Sequence, residues 1–253
     1  LLEKMDIPYE IISSNENDYK KKISKVFKKS LKLSCPVALV IKKGTFEKFK
    51  LRKVKNSFDG MTREFALETI LKNLDNNIIV VSTTGKTSRE IFNIRKNNNQ
   101  SHDQDFLTVG SMGHCSSIAL GLAIARPDKK IVCIDGDGSL IMHMGSLSTV
   151  GKVKPENFYH ILMNNKVHES VGGQETSAKN IDFSDLAKAN GYKNTRSLLD
   201  KENFDFFLNE FFSNPGPSFI EINIDPGSRP GLGRPTISPI DSKIAFMKNI
   251  RKD

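Results

Sequence analysis

The chain has 253 residues, of which 38% are apolar and 26% are charged, with a formal net charge of +9. This balance is typical of a globular protein and excludes collagen, a coiled coil and a mainly disordered chain. The most apolar stretches, 35–41 and 116–125, are shorter than the ~20 residues that cross a bilayer. Because no signal peptide or lipidation motif is found, we expect a cytoplasmic protein without membrane contact.

The positive charge is concentrated near the N-terminus. Residues 1–60 hold 15 Lys and Arg but only 7 Asp and Glu, a balance of +8. Such a basic region can indicate nucleic-acid or acidic-lipid binding. The lysines of 18–32 recur at helical spacing without arginine, which favours a solvated helix face. We therefore expect no nucleic-acid partner.

Cysteine spacing indicates neither disulfides nor a metal cluster. Cys35, Cys115 and Cys133 are far apart in the sequence, and each has apolar neighbours. Because no CxxC-type spacing occurs, we expect reduced thiols in the core.

The first predicted elements resemble the end of an α/β domain. Ile7–Ser13 predicts a short strand, 18–32 predicts a helix, and the apolar run Pro36–Ile41 predicts a second strand. We therefore predict that residues 1–45 are the tail of a domain whose beginning lies outside the chain. The polar, basic stretch 46–60 is predicted to be a linker, and 61–253 a larger domain.

From residue 61 onward, apolar runs alternate with helical patterns. The predicted strands are Asn77–Ser82, Lys130–Asp135, Phe158–Met163 and Pro217–Ile224. The predicted helices begin at about Thr62, Thr87, Ile118, Met144, Phe183 and Phe204. The alternation predicts the α/β class, with a doubly wound parallel sheet that carries helices on both faces.

Polar and glycine-rich loops follow these strands. They comprise 83–88, 110–114, 136–139 and 164–174. In doubly wound sheets, ligands bind beyond the carboxyl ends of the strands. The sequence therefore predicts that the four loops form one binding site.

The loop 136–139 suggests phosphate and metal chemistry. Its glycines allow backbone N–H groups to approach a phosphate, and the Asp137 carboxylate can bind a metal. Asn164 and Asn165 follow the next predicted strand and offer neutral oxygen ligands. One carboxylate and one amide suit a Mg²⁺ ion whose charge a diphosphate partly neutralises.

The spacing GDG-x25-NN, placed after the apolar strand IVCID, resembles the signature of thiamine diphosphate enzymes. The resemblance implies that Asp137, Asn165 and the carbonyl of Val167 coordinate Mg²⁺. It also implies that Met112, in the loop Gly110-Ser111-Met112-Gly113, wedges the cofactor into a V shape. The residues implied to contact thiamine diphosphate are Thr84, Gly110, Ser111, Met112, Gly136, Gly138 and Ser139.

Three further segments closely resemble the phosphonopyruvate decarboxylase family. They are STTGKTSREIF (82–92), DFLTVGSMGHCSSIALGLAIARP (105–127) and HESVGGQET (168–176). The resemblance implies decarboxylation of 3-phosphonopyruvate to phosphonoacetaldehyde and CO₂, in phosphonate biosynthesis. His168 and His114 are the candidates for substrate contact and proton transfer. A sulfopyruvate decarboxylase of the beta-subunit type, or another 2-oxo acid decarboxylase, is the alternative.

The sequence also departs from the family pattern. Lys166 follows the Asn pair where Gly is general, and Glu175 stands where Pro is common. The glutamate that activates the cofactor belongs to a pyrimidine-binding domain, and no matching motif occurs in 1–60. We therefore expect either a fragment of a longer protein or a chain whose missing half a separate subunit supplies. In either case the pyrimidine-binding domain of a neighbouring subunit is expected to complete the site, and a homo-oligomer is predicted. A non-catalytic cofactor-binding subunit remains a further alternative.

Overall fold

The structure is a computed structural model that describes residues 1–47, 60–75, 77–199 and 201–251. The chain divides into two compact units, residues 1–57 and 58–253. Most of the predicted linker 46–60 lies outside the described residues. Among the helices that are described, none is long and apolar enough to cross a membrane.

The N-terminal unit is a small strand–helix–strand arrangement. Strand β1 (Tyr9–Ile12) and strand β2 (Ala38–Ile41) pair in parallel, and helix α1 (Tyr19–Leu33) connects them. Val26 is the buried residue of α1. The lysines of this helix are exposed, except Lys22, which is partly buried. The assignment of this unit to a pyrimidine-binding domain stays a prediction.

The C-terminal unit contains a six-stranded parallel sheet in the order β4-β3-β5-β6-β10-β9. A two-stranded antiparallel hairpin, β7–β8, stands apart from it. The strands are β3 (Ile78–Ser82), β4 (Asp105–Leu107), β5 (Lys130–Gly136), β6 (Phe158–Asn164), β7 (Val167–His168), β8 (Gln174–Glu175), β9 (Asn194–Leu198) and β10 (Ser218–Asn223). The helices are α2 (Arg63–Lys72), α3 (Lys86–Asn97), α4 (Cys115–Ala125), α5 (Asp137–Met142), α6 (Ser146–Val153), α7 (Phe183–Ala189), α8 (Phe204–Ser213) and α9 (Pro239–Ile250).

Helices cover both faces of the sheet, which confirms the predicted fold class. Alternate residues of β3 point to opposite faces: Ile78 and Val80 pack with α2, α3 and α8, whereas Ile79 and Val81 pack with α4, α6, α7 and α9. The central strands are thus buried on both sides, as expected for a doubly wound parallel sheet.

Several element predictions need correction. Strand β4 was not predicted, and the predicted loop 164–174 contains β7 and the first residue of β8. The predicted helix at 144–150 is preceded by α5, which begins directly at Asp137. Strand β9 and helix α9 were not predicted, because β9 is polar and α9 follows a stretch rich in Pro and Gly.

The expectation for the cysteines is only partly right. The structure contains no disulfide among the three cysteines. Cys35 is half-buried, so it is not a core thiol. Cys115 and Cys133 are buried as expected. Although they are far apart in the sequence, their Sγ atoms lie 3.5 Å apart.

Gly151 is where a helix backbone touches a neighbouring loop. A Cβ atom on this residue of α6 would lie 1.6 Å from the carbonyl oxygen of Asn190. We expect Gly151→Ala to lower the free energy of unfolding by at least ~2 kcal/mol, since the backbone must move. Gly121→Ala in α4 is the control: its site is open, and we expect a gain of about 0.5–1 kcal/mol. Urea denaturation of both variants measures the difference, and equal stabilities would contradict the expectation.

Candidate functional site

The carboxyl ends of β3, β5 and β6 open into a cleft of about 280 Å³. Many of the predicted site residues line it. These are Thr84, Met112, Gly136, Asp137, Gly138, Ser139, Asn165, Val167 and His168. Gly110, Ser111 and His114 are not part of this lining. The structure therefore brings together most, but not all, of the predicted site.

A hydroxyl group joins three of the loops. Ser139 Oγ accepts hydrogen bonds from Thr83 Oγ1 and from the backbone N–H of Gly113, both at 3.0 Å. A second bond runs from the Gly110 N–H to Thr84 Oγ1, at 3.2 Å. The loops after β3, β4 and β5 are thus fixed relative to one another, and Gly110 contributes through its backbone although it does not line the cleft. Sequence reasoning missed Thr83.

Asp137 is the buried carboxylate of the cleft. Its side chain is 3% exposed, and Oδ2 accepts a hydrogen bond of 2.5 Å from Thr176 Oγ1. Burial raises the pKa of Asp137, against the opposing effects of the Thr176 hydroxyl, backbone N–H groups and His168. Because burial disfavours the ionised form of this carboxylate, a cation bound beside it would stabilise its negative charge.

The two asparagines have different environments. Asn164 points to β10, where its Nδ2 donates to Glu221 Oε1 at 2.7 Å, and its Oδ1 accepts from the Lys166 N–H. Asn165 instead lines the cleft, and its Nδ2 donates to Glu169 Oε2 at 3.1 Å. This bond directs the oxygen of the Asn165 amide away from Glu169. The side-chain oxygen is thus the atom that Asn165 offers to a cation.

The predicted carbonyl ligand follows at Val167. Its oxygen accepts from the Glu169 N–H at 2.9 Å, and its N–H donates to Asn165 Oδ1 at 3.2 Å. Each of these oxygens has a second lone pair. The donor set of one carboxylate, one amide oxygen and one carbonyl is therefore chemically suitable for Mg²⁺.

The two candidate histidines occupy different places. His168 lines the cleft against Gly138, where an added Cβ would lie 3.0 Å from His168 Cε1. A side chain at position 138 would therefore press against this imidazole. His114 is exposed and lies beside His143, with ring centroids 4.2 Å apart. Only His168 is placed to meet a ligand in the cleft.

A charged network, which the sequence pattern did not predict, crosses one wall of the cleft. Arg63 donates two hydrogen bonds to Glu90, at 2.8 and 2.9 Å, and one to Glu169 Oε2 at 2.8 Å. Lys86 Nζ lies 2.5 Å from Glu169 Oε1. Arg63 and Glu90 are almost fully buried. No local signal could reveal these pairs, because the partners are far apart in the sequence.

The network sets the charge of Glu169. Burial raises the pKa of this carboxyl, but the hydrogen bonds from Lys86 and Arg63 outweigh it and hold the pKa below its usual value. Glu169 is therefore ionised and joins α2, α3 and the segment after β7. Arg63 is balanced by two carboxylates, so its charge is compensated in the buried wall.

Comparison with known proteins identifies the family. Residues 83–222 match the model of the thiamine pyrophosphate enzyme, C-terminal TPP binding domain. The chain belongs to the thiamine pyrophosphate enzyme family. The match extends from the first cleft loop to the end of β10, so it includes all the predicted cofactor and metal residues. The resemblance inferred from the GDG and NN motifs is confirmed at the level of the family.

Several relatives within the family are named decarboxylases. The chain is 39% identical over 180 residues to phosphonopyruvate decarboxylase from Streptomyces viridochromogenes, which covers 71% of the chain and 44% of that protein. It is 36% identical over 146 residues to sulfopyruvate decarboxylase subunit beta from Methanocaldococcus jannaschii, covering 57% of the chain and 72% of the subunit. The chain thus spans less than half of the first relative and most of the second.

Solved structures agree on the fold. A protein from Mycobacterium smegmatis, described as a thiamin diphosphate-dependent enzyme, superimposes with a TM-score of 0.56 at 17% identity. The match covers 74% of this chain and 36% of that one. At this identity the likeness supports the fold alone.

Glu169 offers a direct test of the network. Glu169→Gln leaves Lys86 without its carboxylate and removes one of the two that balance Arg63. We expect a loss of about 2 kcal/mol in the free energy of unfolding, because the wall is largely buried. Glu210→Gln, which breaks the exposed pair with Arg196, is the control and should cost at most about 0.5 kcal/mol. Equal losses in urea denaturation would contradict a stabilising role of the network.

Lys166 can be tested in the same way. This exposed residue has φ +60°, in the left-handed region, where the family pattern has Gly. We expect Lys166→Gly to raise the free energy of unfolding by up to about 1 kcal/mol, since Gly avoids the strain. Lys152→Gly, on an exposed helical position of α6, should instead lower it by about 1 kcal/mol. Thermal unfolding of both variants distinguishes the two effects, and a destabilised Lys166→Gly would contradict the strain.

Proposed function

We propose that the chain is the diphosphate-binding part of a thiamine diphosphate- and Mg²⁺-dependent 2-oxo acid decarboxylase, a carboxy-lyase. The observation that carries the proposal is the convergence of Asp137 and Asn165 in one cleft, at the carboxyl ends of neighbouring strands. Membership of the thiamine pyrophosphate family supports the cofactor. The decarboxylases among the relatives support the reaction.

In this proposal Asp137, Asn165 and the Val167 carbonyl would hold Mg²⁺, which would anchor the diphosphate. Ser139 has a hydroxyl proton left to donate, because its oxygen already accepts from Thr83 and Gly113. The remaining contacts come from Thr84 and the other loop residues. These are Gly110, Ser111, Met112, Gly136 and Gly138. Met112 is 38% exposed and lines the cleft, as a residue that packs against an organic ring must.

The proposed substrate is 3-phosphonopyruvate. When bound, the cofactor supplies an electron sink for the electrons left by departing CO₂. The bond between C1 and C2 of the substrate breaks, and a proton is then added to C2 to give phosphonoacetaldehyde. His168 is the proposed proton donor because its imidazole lines the cleft. His114 would have to act from outside the cleft lining, so we place it second.

The substrate's charge is consistent with the cleft. Phosphonopyruvate carries a phosphonate and a carboxylate, which require cations and N–H donors. Lys86 and His168 line the cleft, where Lys86 is a cation that is also paired with Glu169 and His168 is a ring N–H donor. Lys86 is one-quarter exposed, whereas Arg63 is almost fully buried.

Sulfopyruvate decarboxylase is the second candidate. It is favoured by the beta subunits of Methanocaldococcus jannaschii and Methanococcus maripaludis, of which this chain covers 72% and 90%. We further propose that a pyrimidine-binding domain of a neighbouring subunit completes the site and that the protein is a homo-oligomer. The names of these beta subunits are consistent with assembly from subunits in this family.

Substrate preference separates the two candidates. CO₂ release from phosphonopyruvate and sulfopyruvate is measured side by side, with thiamine diphosphate and Mg²⁺, on the natural protein that carries this sequence. We expect a preference for phosphonopyruvate of at least about tenfold in kcat/KM. A preference for sulfopyruvate would assign the alternative. Cofactor binding without CO₂ release from either would indicate a non-catalytic subunit.

The role of His168 is tested by replacement. We expect His168→Ala to lower kcat by about 10²–10⁴-fold while leaving the affinity for thiamine diphosphate nearly unchanged. His114→Ala is the comparison, and a smaller loss is expected because its ring lies outside the cleft lining. Steady-state kinetics and cofactor titration measure both quantities. Wild-type turnover in His168→Ala would contradict the assignment.

A further inference from the structure

A second cluster of metal-ligating groups lies on one face of the sheet, separate from the cleft. A carboxylate oxygen of Asp135 and the Sγ atoms of Cys115 and Cys133 lie within 4.8 Å of one another. His160 is adjacent, because it pairs in register with Cys133 across β5 and β6. All four side chains are at most 1% exposed.

The backbone explains why these groups meet. Cys133 and Asp135 are two residues apart on β5, so their side chains point to the same face of the sheet. His160 points to that face as well, from the neighbouring position of β6. Cys115 is the first residue of α4, which packs against the same face. Strand β5 and helix α4 thus direct three potential ligands towards one point, and His160 Nε2 lies beside them, 3.9 Å from Asp135 Oδ2.

Two of the four groups have unused polar atoms. Asp135 Oδ2 and His160 Nε2 have no hydrogen-bond partner among the described residues. They lie 3.9 Å apart, which is too far for a hydrogen bond between them. The His160 ring is held from its other side, where Nδ1 lies 3.1 Å from the Tyr192 hydroxyl. Leaving two such atoms unsatisfied in a core is costly, so the pair indicates an additional ligand.

We propose that Cys115, Cys133 and Asp135 form a structural zinc site, with His160, whose Nε2 lies beside Asp135, as the fourth ligand. Metal–ligand distances of about 2.0–2.3 Å place tetrahedral ligands roughly 3.3–3.8 Å apart. The Sγ–Sγ distance of 3.5 Å and the Asp135–His160 distance of 3.9 Å are close to this range. Two thiolates favour Zn²⁺ over Mg²⁺, which prefers oxygen ligands.

The site joins parts of the chain that carry the cleft loops. Asp135 lies two residues before Asp137, and Cys115 lies two residues after Gly113. A metal here would therefore fix the end of β5 to the start of α4, directly behind the cleft. Binding releases the two thiol protons, and the metal's binding energy adds to the stability of the folded state. The proposal does not depend on the function proposed for the cleft.

Metal analysis and cobalt spectroscopy test the site. The protein is purified without chelators, and zinc per chain is measured for wild type, Cys115→Ala and Cys35→Ala. We expect about one zinc per chain in wild type and in Cys35→Ala, and much less in Cys115→Ala. Asp137→Asn is a second control and should keep its zinc, which distinguishes this site from the proposed Mg²⁺ site.

Cobalt substitution of the wild type decides the case even if a variant does not fold. We expect Co²⁺ to give an intense thiolate-to-metal charge-transfer band, which oxygen ligands in the cleft cannot produce. Circular dichroism shows whether the purified protein is folded. The proposal would be overturned if the folded wild type contains no zinc and gives no such band with Co²⁺. A buried water between Asp135 and His160 would then explain their unpaired polar atoms. A Cys115–Cys133 disulfide in the purified protein would overturn it as well.

Discussion

The parallel pairing of β5 with β3 on one side and with β6 on the other determines where the candidate cofactor residues lie. Ser82 of β3 is opposite Ile134, and Met163 of β6 is opposite Gly136. The three strands therefore end at the same edge, and each releases its following loop into the same space. A change of direction in one strand would move its loop to the other end of the sheet, so the site depends on this pairing.

A few side chains hold the polar groups of the cleft in place. The Ser139 hydroxyl connects the loops after β3 and β4 to the loop after β5. On the opposite wall, Glu169 connects Arg63 and Lys86 and also orients Asn165. Each of these groups makes several bonds at once. The arrangement holds polar atoms in fixed directions before any ligand arrives, which is the property that a diphosphate site requires.

Local patterns in the sequence were sufficient for the sheet and the cleft loops. The strands β3, β5, β6 and β10 were predicted because they are runs of β-branched or apolar residues. Strand β4 has three residues, and β9 is polar, so neither gives an apolar signal. The motif around Asp137 and Asn165 was predictable because its spacing resembles a family signature, and in the structure α5, α6 and β6 span that spacing. The pairing of Arg63 with Glu90 and Glu169 was not, since tertiary packing alone brings these groups together.

The two edge strands of the six-stranded sheet, β4 and β9, determine whether a second chain could extend it. Exposed edge strands can pair with other chains, and proteins limit this with short or charged edges. Here β4 is short and is contacted by α9, where Phe106 and Phe246 lie 5.3 Å apart. At the other edge, the exposed Arg196 of β9 is held over Phe207. The sheet is therefore poorly suited to extension by a strand of a second chain.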